Sequence, residues 1–332
     1  MKNKNLQVAL VQMDCRIKDK EYNLNRTFNF LKKTEGKADI ICFPEFFTTG
    51  YSLDLIGDDF YNLAETIPGE TTKMLSRKAK EYRLAIVGGI VEKDDLKEGV
   101  LYDTAFIIDA EGNLAGKYRK FHLYPTEYRF FRPGDDLPTF DIGIAKIGVA
   151  ICYDHAFPEL FRLFSLKGAQ IVFILSAVPQ GYEYLLNLRT RARAQDNQIF
   201  VAAVNRVGQE GKIRYCGLSK MVNPKGEVIA EALPDKEEIL FIRAALELIL
   251  NERKQEPNIF EKKRGERGEQ RMENVVENIG SKIGLYEIKT EVLKEIDVDG
   301  VKVKVVKEGG DLHLVCPFCD IRVANVNTMR SH

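Results

Sequence analysis

Apolar residues in this chain gather into short, nearly unbroken runs. "LQVALVQM" (6–13), "ADIICFP" (38–44), "LAIVGGIV" (84–91), "TAFIIDA" (104–110), "KIGVAIC" (146–152), "AQIVFILS" (169–176) and "QIFVAAVN" (198–205) are each seven or eight residues long. Runs of that length without strict alternation predict strands covered on both faces. Between them lie stretches that predict helices at 23–36, 71–83 and 158–168, the last two with apolar residues at intervals of three and four. Two segments, 107–120 and 220–231, place Gly-containing polar turns between strands and predict hairpins. The order predicts an α/β domain, residues 1–265, with a mixed sheet packed against helices.

The pattern then changes. Residues 251–280 mix seven basic and seven acidic side chains without a strong apolar stripe, so 266–300 is expected to be a charged arm or linker. Residues 301–315, "VKVKVVKEGGDLHLV", predict a hairpin with a Gly-Gly turn, and "CPFCDIRVANVNTMRSH" completes an appendage over 301–332.

Composition narrows the function. At 332 residues with 45% hydrophobic content the chain can bury a large core. Its 49 basic residues balance 49 acidic ones, so neither nucleic acid nor an anionic membrane is expected as a partner. The first apolar run is far shorter than the roughly 20 residues a membrane span needs, which predicts a cytoplasmic protein. Six cysteines are scattered over the chain, and only Cys316 and Cys319 are closely spaced, so reduced thiols are expected.

Candidate chemistry sits at strand ends. Cys152 closes "KIGVAIC", and Pro158 and Gly168 bracket the helix that follows. Taken alone, Cys152 reads as a small buried core residue rather than a nucleophile. Glu45 follows the run 38–44 in an aromatic setting, where a carboxyl pKa rises. Lys120 ends the hairpin at 107–120, with Glu127 seven residues on. One cation and two carboxylates are thus available to converge on one thiol.

"FPEFFTTGY", "YRKFHLYPTE" with the following "RPGD", and "GVAICYDHAFPEL" resemble, in order, the three signature blocks of the nitrilase superfamily of carbon-nitrogen hydrolases. "RARAQDNQIFVAAVNRVG" (191–208) is similar to a later part of that family, so the resemblance spans about residues 6–265. It implies a four-layer α-β-β-α sandwich, often paired as a homodimer. The roles it implies are Glu45 as general base, Lys120 as the cation, Cys152 as nucleophile, Glu127 as supporting carboxylate and the Tyr153 backbone N–H as an oxyanion donor. A Tyr153-Asp154 pair after the nucleophile leans toward the amidase and carbamoylase branches, with nitrile hydrolysis as the alternative. The implied reaction is hydrolysis of a small carboxamide or N-carbamoyl compound through a thioester, with no cofactor for catalysis. Lys120 and backbone dipoles are expected to hold the thiol below its ordinary pKa of about 8.5.

Phe46, Tyr51, Tyr124 and Ala177 are expected to line the substrate pocket, although an aromatic cluster also serves as ordinary core. A substrate carboxylate would need a cation, for which Arg129, Arg189, Arg191 and Arg193 are candidates. In the appendage, Cys316, Cys319 and His332 resemble three ligands of a Cys-Cys-His-His zinc finger, with His313 as a candidate fourth ligand for a structural zinc. A binding or scaffold protein acting through that segment is the competing reading.

Overall fold

The structure is a computed structural model that describes residues 5–257 and, beyond them, the backbone of four C-terminal strands. The chain divides into two units at Glu261/Lys262.

In the first unit, one six-stranded sheet runs in the order Glu238–Ala245, Asn5–Gln12, Ile40–Cys42, Ala85–Lys93, Leu101–Ile108, Leu114–Arg119. Asn5–Gln12, Ile40–Cys42 and Ala85–Lys93 are parallel, and antiparallel strands complete the sheet on both sides. A second six-stranded sheet runs Val228–Glu231, Lys220–Val222, Phe200–Val204, Ile171–Leu175, Lys146–Ile151, Phe140–Asp141, with parallel strands at its centre.

The unbroken apolar runs are explained by two cores. In Asn5–Gln12, Leu6, Val8 and Leu10 face the second sheet, whereas Ala9 and Val11 pack with Leu31 and Leu75 from the helices Lys20–Thr34 and Glu70–Tyr82. Ala85 and Val87 divide from Ile86 in the same way, as do Ala105 and Ile107 from Phe106 and Ile108. Strand residues alternate faces, so a strand between two apolar layers must be apolar throughout. The helices Pro158–Leu166 and Glu183–Asn197 cover the second sheet through Leu160, Phe164, Leu186 and Ala194. The result is the α-β-β-α sandwich, with each buried Leu, Ile or Phe contributing about 1.5–3 kcal/mol of transfer free energy.

The helix Glu183–Asn197 is absent from the apolar pattern for a physical reason. Its buried positions are Leu186, Thr190, Arg193, Ala194 and Asn197, a helical stripe in which three of the five are polar. Each makes a hydrogen bond to a backbone carbonyl, Thr190 to Leu186, Asn197 to Arg193 and Arg193 to His155, while Asn197 Oδ1 has no partner among the described residues.

The second unit contains a four-stranded antiparallel sheet, Glu291–Val298, Val301–Glu308, Asp311–Val315, Arg322–Val323 in sequence order. This corrects the expectation of an arm over 266–300 and a lone hairpin after it, because Glu291–Val298 is a strand paired along Val301–Glu308. The Asp-Gly at 299–300, a strong two-residue hairpin signal, lies between them in the sequence. Cys316, Cys319 and His332 fall outside the described residues, and His313 is a backbone position on Asp311–Val315, opposite Val306. Among the described residues no helix is long and apolar enough to cross a membrane.

Candidate active site

Glu45, Lys120, Glu127 and Cys152 come from four separate places and meet at one end of the two sheets. Glu45 follows Ile40–Cys42, Lys120 follows Leu114–Arg119, and Glu127 lies in a 3-10 turn, Pro125–Arg129. Cys152 follows Lys146–Ile151 and opens a second 3-10 turn, Cys152–Ala156. Its φ of 41° lies in the left-handed region, a conformation costing a non-glycine residue of order 1–3 kcal/mol. The loop carrying Glu45 lies tight against the sheet: a Cβ on Gly89 would stand 3.1 Å from the Glu45 Cα, so the "GG" in Ala85–Lys93 gives that loop room.

Lys120 is the centre of the cluster and is fully buried. Its Nζ donates to Glu45 Oε1 and to Glu127 Oε1, both at 2.7 Å. A third carboxylate, unforeseen in the sequence, stands beside it: Asp103, in the middle of Leu101–Ile108, with Oδ2 3.2 Å from Nζ. Glu45, Asp103 and Glu127 each present an oxygen within 4.8 Å of the other two, an arrangement that suits a metal ion, and the Lys120 ammonium stands among them. At an effective dielectric of 20, two ionised carboxylates at that separation repel by about 3.5 kcal/mol. Three negative charges on one positive charge in a fully buried place cannot all persist without cost.

The electrostatics follow from this crowding. Burial pushes Lys120 down, but Glu127, Glu45 and Asp103 outweigh it and hold the ammonium well above its ordinary range. Burial raises the Glu45 carboxyl, and Glu127 adds to that against the pull of Lys120. Burial lifts the Asp103 carboxyl well above the usual carboxylate range. The expectation of an acidified thiol is corrected: burial and the Glu45 charge push Cys152 well above the ordinary thiol value and outweigh Lys120. Cys152 therefore rests as a thiol and needs a base at the moment of attack.

Two buried networks, also missed in the sequence, fix the loops. Asp154 accepts from Tyr118 OH at 2.7 Å, His122 N at 2.8 Å and Ile151 N at 2.9 Å, tying the turn after Cys152 to the segment around Lys120. Glu210 accepts from Ser52 N at 2.7 Å and Tyr215 OH at 2.7 Å and pairs with Arg206, which seats the loop bearing Tyr51. Tyr51 OH in turn donates to Glu127 Oε1 at 2.6 Å. Neither is marked in the sequence, where Asp154 lies between Tyr153 and His155 and Glu210 between Gln209 and Gly211, yet a carboxylate must find donors once buried.

Cys152 opens onto a cavity of about 410 Å³ whose wall includes Tyr51, Tyr124, Tyr153, Ala177, His155 and Arg189. Tyr51, Tyr124 and Ala177 thus lie on the wall of this cavity. Phe46 does not, and this is a correction: it is fully buried, with ring centroids 5.9 Å from Tyr51, 6.0 Å from Phe60 and 5.4 Å from Phe131, a core cluster beneath the cavity. Of the candidate arginines only Arg189 reaches the wall. Arg191 bonds the Gly226 carbonyl, Arg193 bonds the carbonyls of His155 and Ala156, and Arg129 lies over the Phe130 ring. Arg189 Nη1 meets His155 Nε2 at 2.9 Å. Burial and the neighbouring arginines push His155 down to about 3, so it is neutral near pH 7 and leaves the Arg189 charge uncompensated. No carboxylate among the described residues pairs with Arg189.

A model of the carbon-nitrogen hydrolase family matches residues 7–254. The chain belongs to that family. It is 35% identical over 237 residues to a probable nitrilase of Schizosaccharomyces pombe, spanning 70% of this chain and 86% of that one. It is 37% identical over 255 residues to the Omega-amidase NIT2 of Xenopus tropicalis, spanning 72% and 88%. The crystal structure of Saccharomyces cerevisiae Nit3, a member of branch 10 of the nitrilase superfamily, superposes with a TM-score of 0.70 at 32% identity, covering 76% of this chain and 94% of that one. This carbon-nitrogen hydrolase is accordingly an enzyme acting on C–N bonds, built on the sandwich that the family shares.

Proposed function

We propose that this hydrolase cleaves a small carboxamide or N-carbamoyl compound, releasing ammonia through a thioester on Cys152. The observation that carries the reading is the meeting of a buried carboxylate–lysine–carboxylate chain with a strained cysteine on the wall of one cavity. Glu45 takes the thiol proton as sulfur bonds to the carbonyl carbon. The charge arising on oxygen meets the Lys120 ammonium and the Tyr153 backbone N–H. Glu45 then returns the proton to nitrogen, the C–N bond breaks and ammonia leaves a thioester behind. Water, giving a proton to the same carboxylate, attacks the thioester, and the C–S bond breaks to restore the thiol. Glu127 holds Lys120, and Tyr51 holds Glu127. The resemblance to a relative named an omega-amidase supports amides over nitriles.

The test is ammonia release from a panel of amides, carbamoyl compounds and nitriles, with intact-mass capture of the acyl-enzyme. An acyl adduct on the Cys152 peptide is the expected result. Turnover with the label elsewhere, or with nitriles alone, ends this reading.

The uncompensated Arg189 supports a substrate whose far end carries a carboxylate. A charge-assisted hydrogen bond is worth about 1.5–3 kcal/mol, or roughly tenfold to a hundredfold in binding. Arg189→Met is expected to raise KM for acidic amides by about that factor with kcat nearly unchanged, while neutral amides keep their KM. An equal rise for neutral amides would remove Arg189 from substrate recognition.

A further inference from the structure

The buried cluster holds one more carboxylate than the proposed chemistry uses, and its three acids are not equivalent. Glu127 accepts from Lys120 Nζ at 2.7 Å, Tyr51 OH at 2.6 Å and Tyr124 N at 2.8 Å. Glu45 accepts from Lys120 through Oε1, while Oε2 has no donor among the described residues. Asp103 accepts nothing at either oxygen: Nζ lies 3.2 Å away but outside hydrogen-bonding geometry. Donors therefore number three, one and none. A carboxylate with three donors is stabilised as an anion, and a fully buried one with none is the group that gains most from a proton.

Among the described residues the surroundings of Asp103 supply no cation besides Lys120. Lys120 N donates to the Asp103 carbonyl, placing the two residues side by side, and the neighbouring strand sets apolar Val91 opposite Asp103. Glu92, next to Val91, is engaged with Thr104, Lys117 and Arg119. The ionisable groups facing Asp103 are thus Lys120, Glu45 and Glu127, with Tyr51 and Cys152 farther round the cluster.

We propose that Asp103 is a positioning residue that keeps its proton near neutral pH and donates it as a hydrogen bond to Glu45, holding Glu45 ionised as the base. A neutral Asp103 also leaves the third Lys120 N–H unclaimed, so it can meet the oxygen of the substrate. The effect on rate rests on the amide-hydrolase reading above; the protonation of Asp103 does not. Burial and the two neighbouring carboxylates act in the same direction, lifting Asp103 above the usual carboxylate range.

The inference is tested first on the resting enzyme, without substrate. The infrared difference spectrum of wild type minus Asp103→Asn near pH 7 is expected to contain a protonated-carboxyl C=O band that shifts in D2O. Absence of that band, or its persistence in the variant, would place the proton elsewhere and overturn the assignment. This readout stands even if no amide is turned over. The second arm reads the acidic limb of kcat/KM, which reports the free-enzyme base. Asp103→Asn keeps an N–H donor toward Glu45 and leaves the charge unaltered, so activity within about threefold and an unmoved limb are expected. Asp103→Val removes the donor, and the limb is expected to move up by about one pH unit, so that activity at pH 6 falls more than at pH 8. A uniform loss at every pH in both variants would mean a merely structural role and defeat the proposal.

Discussion

Glu45→Gln is expected to lower kcat/KM for a carboxamide by about a thousandfold, within the range general-base removal produces, while making Cys152 more acidic. The two effects point in opposite directions because Glu45 acts on the thiol in two ways. Its negative charge raises the Cys152 pKa, so replacing it with a neutral amide lets Lys120 draw the thiol down toward the ordinary value. Its carboxylate is also the acceptor available to the thiol proton, since it takes one donor from Lys120 whereas Glu127 is already committed to Lys120, Tyr51 and the Tyr124 amide. If a standing thiolate drove the reaction, the variant would be faster; if transfer of the thiol proton during attack drives it, the variant is slow. Alkylation of Cys152 by a haloacetamide, followed against pH, reads the first quantity, and ammonia release reads the second. Turnover that survives the substitution would remove Glu45 from the mechanism.

What the sequence disclosed and what it hid divide along physical lines. Glu45 and Cys152 were legible because each stands at the end of an apolar run and Lys120 because it ends a hairpin strand, and strand ends are where side chains leave a packed sheet for a cavity. The sandwich was legible because residues such as Val8 and Ala9, or Val87 and Ile86, must be apolar on opposite faces. Asp103 was hidden because it sits inside a strand rather than at its end, where one acidic residue among apolar neighbours looks like a solvent-facing position. Its burial depends on Lys120, which arrives from the next strand and is not its neighbour in sequence. The thiol pKa was misjudged for a related reason. A nearby lysine is visible in the sequence, but the desolvation that outweighs it arises only once the cavity is enclosed. Phe46 and Tyr51 were indistinguishable as members of one aromatic cluster, and only the fold turns one ring into the core and the other to the cavity wall.

Lys120→Met carries the largest expected structural penalty, because it leaves the buried carboxylates without their cation. Removing one partner from a buried charge network costs about 3–5 kcal/mol, and losing one oxyanion donor costs about a hundredfold or more in kcat. The stability loss is expected to depend on pH, and its sign follows from the directions of the shifts. Glu45 and Asp103 already titrate above their ordinary values of 4.5 and 3.8, so the folded protein binds their protons more tightly than the unfolded chain does. Stability linked to such groups is present below those values and is lost as pH rises through the folded pKa. Without Lys120 the folded values move higher still, which extends the loss toward neutrality. Lys120 itself is held above its ordinary 10.5, so its own contribution is constant between pH 5 and 8. Urea midpoints for wild type and Lys120→Met should therefore lie closer together at pH 5 than at pH 8, with the variant losing stability steadily in between. A gap that stays constant, or widens toward acid, would mean that the three carboxylates do not share one cation.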